Sequence, residues 1–266
     1  MKKTVIILAL ILTGGFSFAQ ENEVIAEESA PESKLAIGVD VVYPYLWRGI
    51  ALNSTDKVAF QPYASYAFTD KLTLGVWATT NLNNDATENN LSYNELDVYV
   101  SYQVSPVISV MLTDYYYETP GSKSSFFNYD NTSNQAIDLS VLFDFSENGV
   151  PVDFQWNTLI AGNDFDDNDK RNYSSYSEIG FSHSIESAGI DLRAFAGAVV
   201  GSSGYYVTDG FKFTNVGLNV AKEIKFSESF SLPVFVKYTY NENGNVNTDG
   251  ELKHNFISGG ISFTIK

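Results

Sequence analysis

The residues with which this chain could do imidazole or thiol chemistry are few: two histidines, His183 and His254, and no cysteine. Histidine is the commonest general base, and His183 stands between Ser182 and Ser184. Adjacent residues of an extended chain point to opposite faces, so neither neighbouring hydroxyl is placed to form a dyad with it. A site at a lipid-facing rim could still recruit a distant serine. His254 stands beside a polar link, where a solvated imidazole is the plainer reading. The lack of cysteine excludes a thiol nucleophile, a thiolate metal site, a lipid-modified cysteine and any disulfide. In Asp164-Phe165-Asp166-Asp167-Asn168-Asp169, alternate positions carry Asp164, Asp166 and Asn168, as the opening of a calcium loop does. Asp169 stands where that loop wants glycine and Ser175 where it wants a bidentate acid, so the segment is read as a solvated acidic loop. The chain is read as a non-enzyme, with no catalytic residue, metal or other cofactor.

A larger polar set follows from the elements that must hold it. Twelve segments of alternating polarity are predicted over residues 35–50, 57–69, 71–81, 91–104, 106–118, 134–146, 151–162, 173–186, 188–201, 211–225, 229–241 and 250–265. Their lengths are close to or above the roughly 9–11 residues that a tilted membrane strand needs. The links alternate between short and long. Tight reversals are predicted at 69–71, 105–106, 146–150, 186–189 and 226–228, where Gly, Pro, Asn or Ser supplies the turn. Longer links rich in Asn, Asp, Ser and Gly lie around 82–90, 119–133, 163–172, 202–210 and 242–249. An even barrel with both termini in the periplasm gives this alternation. The fold class expected is therefore all-β: a transmembrane antiparallel up-and-down β-barrel of about 12 strands, with short periplasmic turns and longer extracellular loops.

Alternation alone does not say which face is inside. In the first segment Ile37, Val39, Val41, Tyr43, Tyr45 and Trp47 share one side, and in the sixth Ile137, Leu139, Val141, Phe143 and Phe145 do. The opposite faces carry Gly38, Asp40, Arg48 and Asp138, Ser140, Asp144. Lys and Glu, the usual choice for water-facing strands of soluble proteins, are scarce there, so the polar face reads as a lumen. Aromatic girdles are predicted from Tyr43, Tyr45, Trp47, Phe60, Tyr116, Tyr238 and Tyr240 at the outer rim and from Phe68, Tyr102, Phe145, Phe181, Phe230 and Phe263 at the periplasmic one.

Inward parity then assigns the candidate site. Arg48, Trp77, Glu95 and Asp97 fall in the outer half of the first, third and fourth strands and form the predicted lumen or constriction cluster. Its role is either to hold the wall by pairing buried charge or to select solutes. Asp40, Asp138, Asp144, Asp153, Glu178, Glu186 and Asp191 also have lumen parity, against Arg193 and Lys237, an acidic balance that would favour cations if a pore is open. Several of these acids stand near the rims. Tyr63, Trp77, Tyr99, Met111, Tyr115 and Phe235 point inward too, bulk that could narrow or close a twelve-stranded lumen.

Tyr45-Leu46-Trp47-Arg48-Gly49, Gly75-Val76-Trp77-Ala78-Thr79-Thr80-Asn81 and Glu95-Leu96-Asp97-Val98-Tyr99 resemble the signatures of the TorF family of bacterial porins, also called Gcw_chp, a family of unknown function. The specific likeness covers roughly residues 36–104. It implies a channel without implying its solute. The chain ends Ser262-Phe263-Thr264-Ile265-Lys266 rather than on the terminal aromatic common in outer-membrane barrels.

The N-terminus carries Lys2 and Lys3, an apolar stretch from Val5 to Leu12 and the small-residue site Ser17-Phe18-Ala19, which together match a cleaved signal peptide over 1–19. Removing Lys2 and Lys3 takes the formal charge from −16 to −18, a balance that argues against nucleic acid. Residues 20–33, with Glu21, Glu23, Glu27, Glu28 and Glu32, read as an acidic tail before a single barrel domain over 34–266. The expected location is the outer membrane of a Gram-negative bacterium. Outer-membrane lipid, the barrel assembly machinery and small hydrophilic solutes are the expected partners. The function expected is a passive diffusion channel; the alternative is a closed barrel with a structural, adhesion or partner-binding role through its outer loops.

Overall fold

The computed structural model describes residues 34–52, 57–82, 94–118, 126–227, 230–246 and 250–265. The predicted signal peptide and acidic tail lie outside the described residues. Twelve long strands close one antiparallel ring: β1 (Leu35–Tyr43), β4 (Ala59–Ala67), β5 (Leu72–Thr80), β6 (Asn94–Gln103), β7 (Ile108–Glu118), β8 (Gln135–Asp144), β9 (Val152–Gly162), β10 (Ser175–Ile185), β11 (Ile190–Val199), β14 (Lys212–Ser227), β15 (Phe230–Val246) and β16 (Leu252–Ile265). Each pairs with its neighbours in the chain, and β1 pairs with β16 from Ile37↔Ile265 to Tyr43↔Gly259 to close the ring. Two short hairpins complete the described elements, β2–β3 (Leu46–Trp47 and Ile50–Ala51) and β12–β13 (Ser202–Ser203 and Thr208–Asp209).

The reversals at the predicted short end are built from side chains suited to them. Thr69 Oγ1 accepts the Lys71 and Leu72 amides, and Ser105 Oγ accepts those of Val107 and Ile108. The turns at Ser146–Asn148 and Glu186–Ala188 are single 3-10 turns closed by Gly149 and Gly189 at positive φ.

Polarity is inverted relative to a water-soluble barrel. Gln61, Ser65, Thr73, Asp97, Thr113, Asp138, Ser140, Asn157, Glu178, Asn219 and Ser262 are all buried on the inner wall. Ile37, Leu74, Val98, Leu112, Ile179, Phe181, Leu218, Val236, Ile257 and Ile265 are exposed on the outer one. Only a lipid phase covers such an exterior without cost, and only a closed barrel satisfies its backbone there. The architecture is consistent with the outer membrane of a Gram-negative bacterium. One carboxylate breaks the outer pattern: Asp114 on β7 is covered by Tyr129 Oη at 2.7 Å and Gln135 Nε2 at 2.9 Å.

On the inner wall several aromatic rings lie flat across a glycine of a neighbouring strand. A side chain at Gly38 would meet the Tyr63 ring, at Gly75 the Tyr99 ring and at Gly260 the Phe235 ring. Glycine is present there because the ring takes the space a Cβ would fill.

Candidate functional site

The predicted first strand is too long. β1 stops at Tyr43, where Pro44 has no N–H to extend the ladder, and the chain turns into the lumen as β2–β3. Trp47 and Ile50 close a two-residue loop in which Arg48 (φ 48) and Gly49 (φ 80) both have positive φ, the requirement of a type I′ hairpin. Tyr45 and Trp47 are consequently 4% and 5% exposed. They line the interior rather than the outer girdle for which period-two alternation marks them.

From this hairpin Arg48 reaches across the barrel. Its Nη2 donates to Asp138 Oδ2 of β8 at 2.6 Å, its Nη1 donates to Tyr206 Oη, and its guanidinium lies over the rings of Trp47 (4.6 Å) and Tyr176 (5.0 Å). Tyr206 belongs to the second hairpin, and its ring stacks on Trp47 at 5.3 Å with 4° between planes. Tyr115 Oη also donates to Asp138 Oδ2, at 3.2 Å, while its ring meets Trp47 edge-on. Trp77 packs on Tyr45 at 5.7 Å. The two hairpins thus meet as an aromatic partition with one ion pair through its centre.

Gly49 is the docking point. A Cβ there would strike the Thr214 carbonyl oxygen of β14, and the Gly49 carbonyl accepts the side-chain amides of Asn241 at 2.9 Å and Asn245 at 3.0 Å. Behind the second hairpin, Ser174 Oγ lies 2.6 Å from both Ser203 Oγ and Asp164 Oδ1.

A second charge cluster occupies another level of the lumen. Arg193 on β11 holds Asp153 on β9 through two nitrogens (2.5 and 2.9 Å) and Glu178 on β10 at 2.9 Å. Glu178 also accepts from Tyr176 Oη and from Asn215 Nδ2 at 2.7 Å. This network laces four adjacent strands. Replacing Arg193 by leucine leaves two inner-wall carboxylates without their cation and is expected to cost about 3–5 kcal/mol, seen as earlier loss of the compact band in heat-modifiability electrophoresis. Arg193→Leu combined with Glu178→Leu should recover part of it.

Residues 26–231 match the family described as bacterial protein of unknown function, Gcw_chp. The chain belongs to that family. No curated protein sequence matches this Gcw_chp protein. Among the solved structures that resemble it is that of Pseudomonas aeruginosa OccK9 (OpdG), 12% identical, with a TM-score of 0.38 over 89% of this chain and 64% of that one. The chain spans less than two thirds of that structure's length.

The residues that carry the family resemblance converge on the partition of this Gcw_chp protein. Tyr45, Trp47, Arg48 and Gly49 build its first hairpin, and Trp77, Glu95 and Asp97 face it from β5 and β6. Within the expected grouping of Arg48, Trp77, Glu95 and Asp97, the ion-pair partner of Arg48 comes from outside it: Asp138 of β8. Leaving the wall at Tyr43 carries the guanidinium across the lumen to β8. Glu95 and Asp97 share a face of β6 and hydrogen-bond each other.

The remaining predicted lumen charges divide by height. Asp40 accepts Ser262 Oγ at 2.5 Å across the β1–β16 seam. Lys237 is 6% exposed in line with Asn219 and Ser258, and it makes no ion pair among the described residues. Asp144 caps the Ser146 amide (2.9 Å) and Asp191 accepts Ser184 Oγ (2.6 Å), both at the short-turn rim, while Glu186 lies in the turn itself.

His183 points outward, with Ser182 and Ser184 on the other face, and His254 Nδ1 lies 2.9 Å from the Asn241 carbonyl. Two carboxylates of the acidic loop turn onto nearby backbone, while Asp169 accepts Asn131 Nδ2 at 2.5 Å. Asp164 accepts the Ser174 amide, and Asp166 accepts the Lys170 and Asn168 amides, in that order the main reasons its carboxyl is held below the usual range.

Sequence reasoning missed the second hairpin, placing 202–210 among the outer polar links. The available signal was Tyr205-Tyr206 within an otherwise Gly- and Ser-rich link.

Proposed function

We propose that this protein is an outer-membrane channel for small hydrophilic solutes, narrowed by its own hairpins and preferring cations. One observation carries the reading: the inner wall has buried polar side chains on each of its twelve long strands and holds more polar atoms than its side chains satisfy. Gln61 Nε2, Asn219 Oδ1 and Nδ2, Thr239 Oγ1 and Ser258 Oγ are buried without a hydrogen-bonding partner among the described residues. Buried polar groups in a polar, roomy interior are satisfied by water, and a wetted lumen is a route for polar solutes. The acidic bias supports cation preference: Asp40, Glu95, Asp97, Asp138, Asp153, Glu178 and Asp191 face inward against Arg48, Arg193 and Lys237. We assign no catalytic step to His183, His254 or the acidic loop.

Refolded mature protein in a planar bilayer under a salt gradient tests both parts. Small, reproducible conductance steps with a cation-directed reversal potential are expected. Anion selectivity would overturn the preference and leave the channel standing.

The partition gives a second reading its own support. Trp47, Tyr206, Tyr115 and Tyr176 pack continuously around Arg48, which suits a barrel that does not conduct and acts through its outer loops. A silent barrel that remains heat-modifiable would favour that reading.

A further inference from the structure

On the long-loop side of the partition lies a basin of about 510 Å³, within the range of small-molecule sites. It is walled by Trp47, Tyr117, Tyr205 and Phe165, with Ile50 and Leu52 from the first hairpin, and its charged lining residue is Glu95. We propose that this basin binds small organic cations, a primary ammonium group carried on an apolar or aromatic body.

Four aromatic rings and two aliphatic side chains give a largely apolar surface for the body of such a ligand; one face of Trp47 is taken by the Arg48 guanidinium at 4.6 Å and one face of Phe165 by that of Arg171 at 4.5 Å. Ring faces attract a cation within about 6 Å of their centroids, more strongly where water is excluded. Glu95, 8% exposed, supplies the carboxylate for the ammonium, and Asn163 an amide beside it. Beneath, Asp97 is 1% exposed and shares a hydrogen bond with Glu95, so the two carboxyl groups hold one proton between them and present a single negative charge to the basin. Arg48, the partition's cation, is neutralised by its ion pair with Asp138 while it lies over Trp47. The whole chain carries a formal charge of −16, which draws cations toward the molecule. A neutral sugar would meet the rings and donate hydrogen bonds to Glu95 but gain no charge pairing, and an anion would meet repulsion from Glu95.

Binding here does not require that the barrel conduct, so the test is made without current. Purified full-length barrel in detergent is titrated with phenethylamine at neutral pH, where it is a cation, and with 2-phenylethanol, its neutral counterpart. Calorimetry and the intrinsic fluorescence of the three tryptophans, of which Trp47 lines the basin, provide the readouts. Saturable amine binding is expected, about tenfold tighter than the alcohol, as a buried carboxylate and several ring faces together would give. Glu95→Gln should bring the amine down to the alcohol's affinity. Tyr205→Leu, a hairpin substitution outside the barrel wall, should weaken the amine several-fold and guards against a folding defect in the Glu95 variant. Equal affinity for amine and alcohol, or no saturable binding of the amine, would overturn the proposal. Binding of glucose without the amine would also overturn it and assign the basin to carbohydrate.

Discussion

Arg48→Ala is expected to raise single-channel conductance and lower the temperature at which the folded barrel is lost. Asp138 is fully buried, and Arg48 supplies its ion pair. Removing one partner of a buried pair leaves the other charged without compensation, a loss of about 3–5 kcal/mol. The same change deletes the donor to Tyr206 and the cation lying over Trp47 and Tyr176. What held two hairpins to the opposite wall then holds neither. A companion variant, Asp138→Asn, keeps the shape but leaves the buried Arg48 guanidinium without its carboxylate, so it should also loosen the hairpins and cost a comparable amount. If Arg48→Ala matches the parent in both conductance and thermal midpoint, the partition is not held by this pair.

Gly49→Ala should have an effect out of proportion to one methyl group. At φ 80 an alanine pays about 1–2 kcal/mol for the left-handed conformation alone. Its Cβ would also drive into the backbone carbonyl of Thr214, which cannot swing aside as a side chain can. The hairpin must lift, and Asn241 and Asn245 lose the carbonyl they both bind. Gly149→Ala separates the two contributions, because Gly149 has φ 75 with open space around it. Gly149→Ala should show the conformational cost only. Gly49→Ala should add exposure of Trp47, read as greater quenching of its fluorescence by iodide, and an increase in conductance.

The strands were legible because lipid outside and polar residues inside impose a period of two on every one of them. The predicted segments from Phe60 through Val199 and the last, 250–265, agree with the structure to a few residues. Period two also explains the main error. Tyr43, Tyr45 and Trp47 continue the alternation of β1, and only Pro44 and the Arg48-Gly49 turn mark where the chain leaves the wall. The extension of β15 to Val246 was missed in the opposite sense, since its Asn-rich end reads as loop while pairing with Lys253 and Leu252. Parity assigns Trp77, Glu95 and Asp97 to the inner face of β5 and β6, whereas Arg48 reaches the interior by way of the hairpin, which parity does not register. The partner of Arg48 was not legible, because Asp138 lies 90 residues further along on a wall the hairpin must cross to touch. Parity sorts residues by face and carries no information about contacts through the middle of a ring.

The seam between β1 and β16 ties residue 37 to residue 265 through seven paired positions. Until those two strands meet, the other eleven pairings leave an open sheet with two bare edges, and each backbone group stranded in hydrocarbon costs several kcal/mol. An incomplete chain is therefore no smaller version of this molecule. The contact joining its most distant segments is the one that makes the rest tolerable in lipid, so membrane insertion and ring completion are thermodynamically a single event.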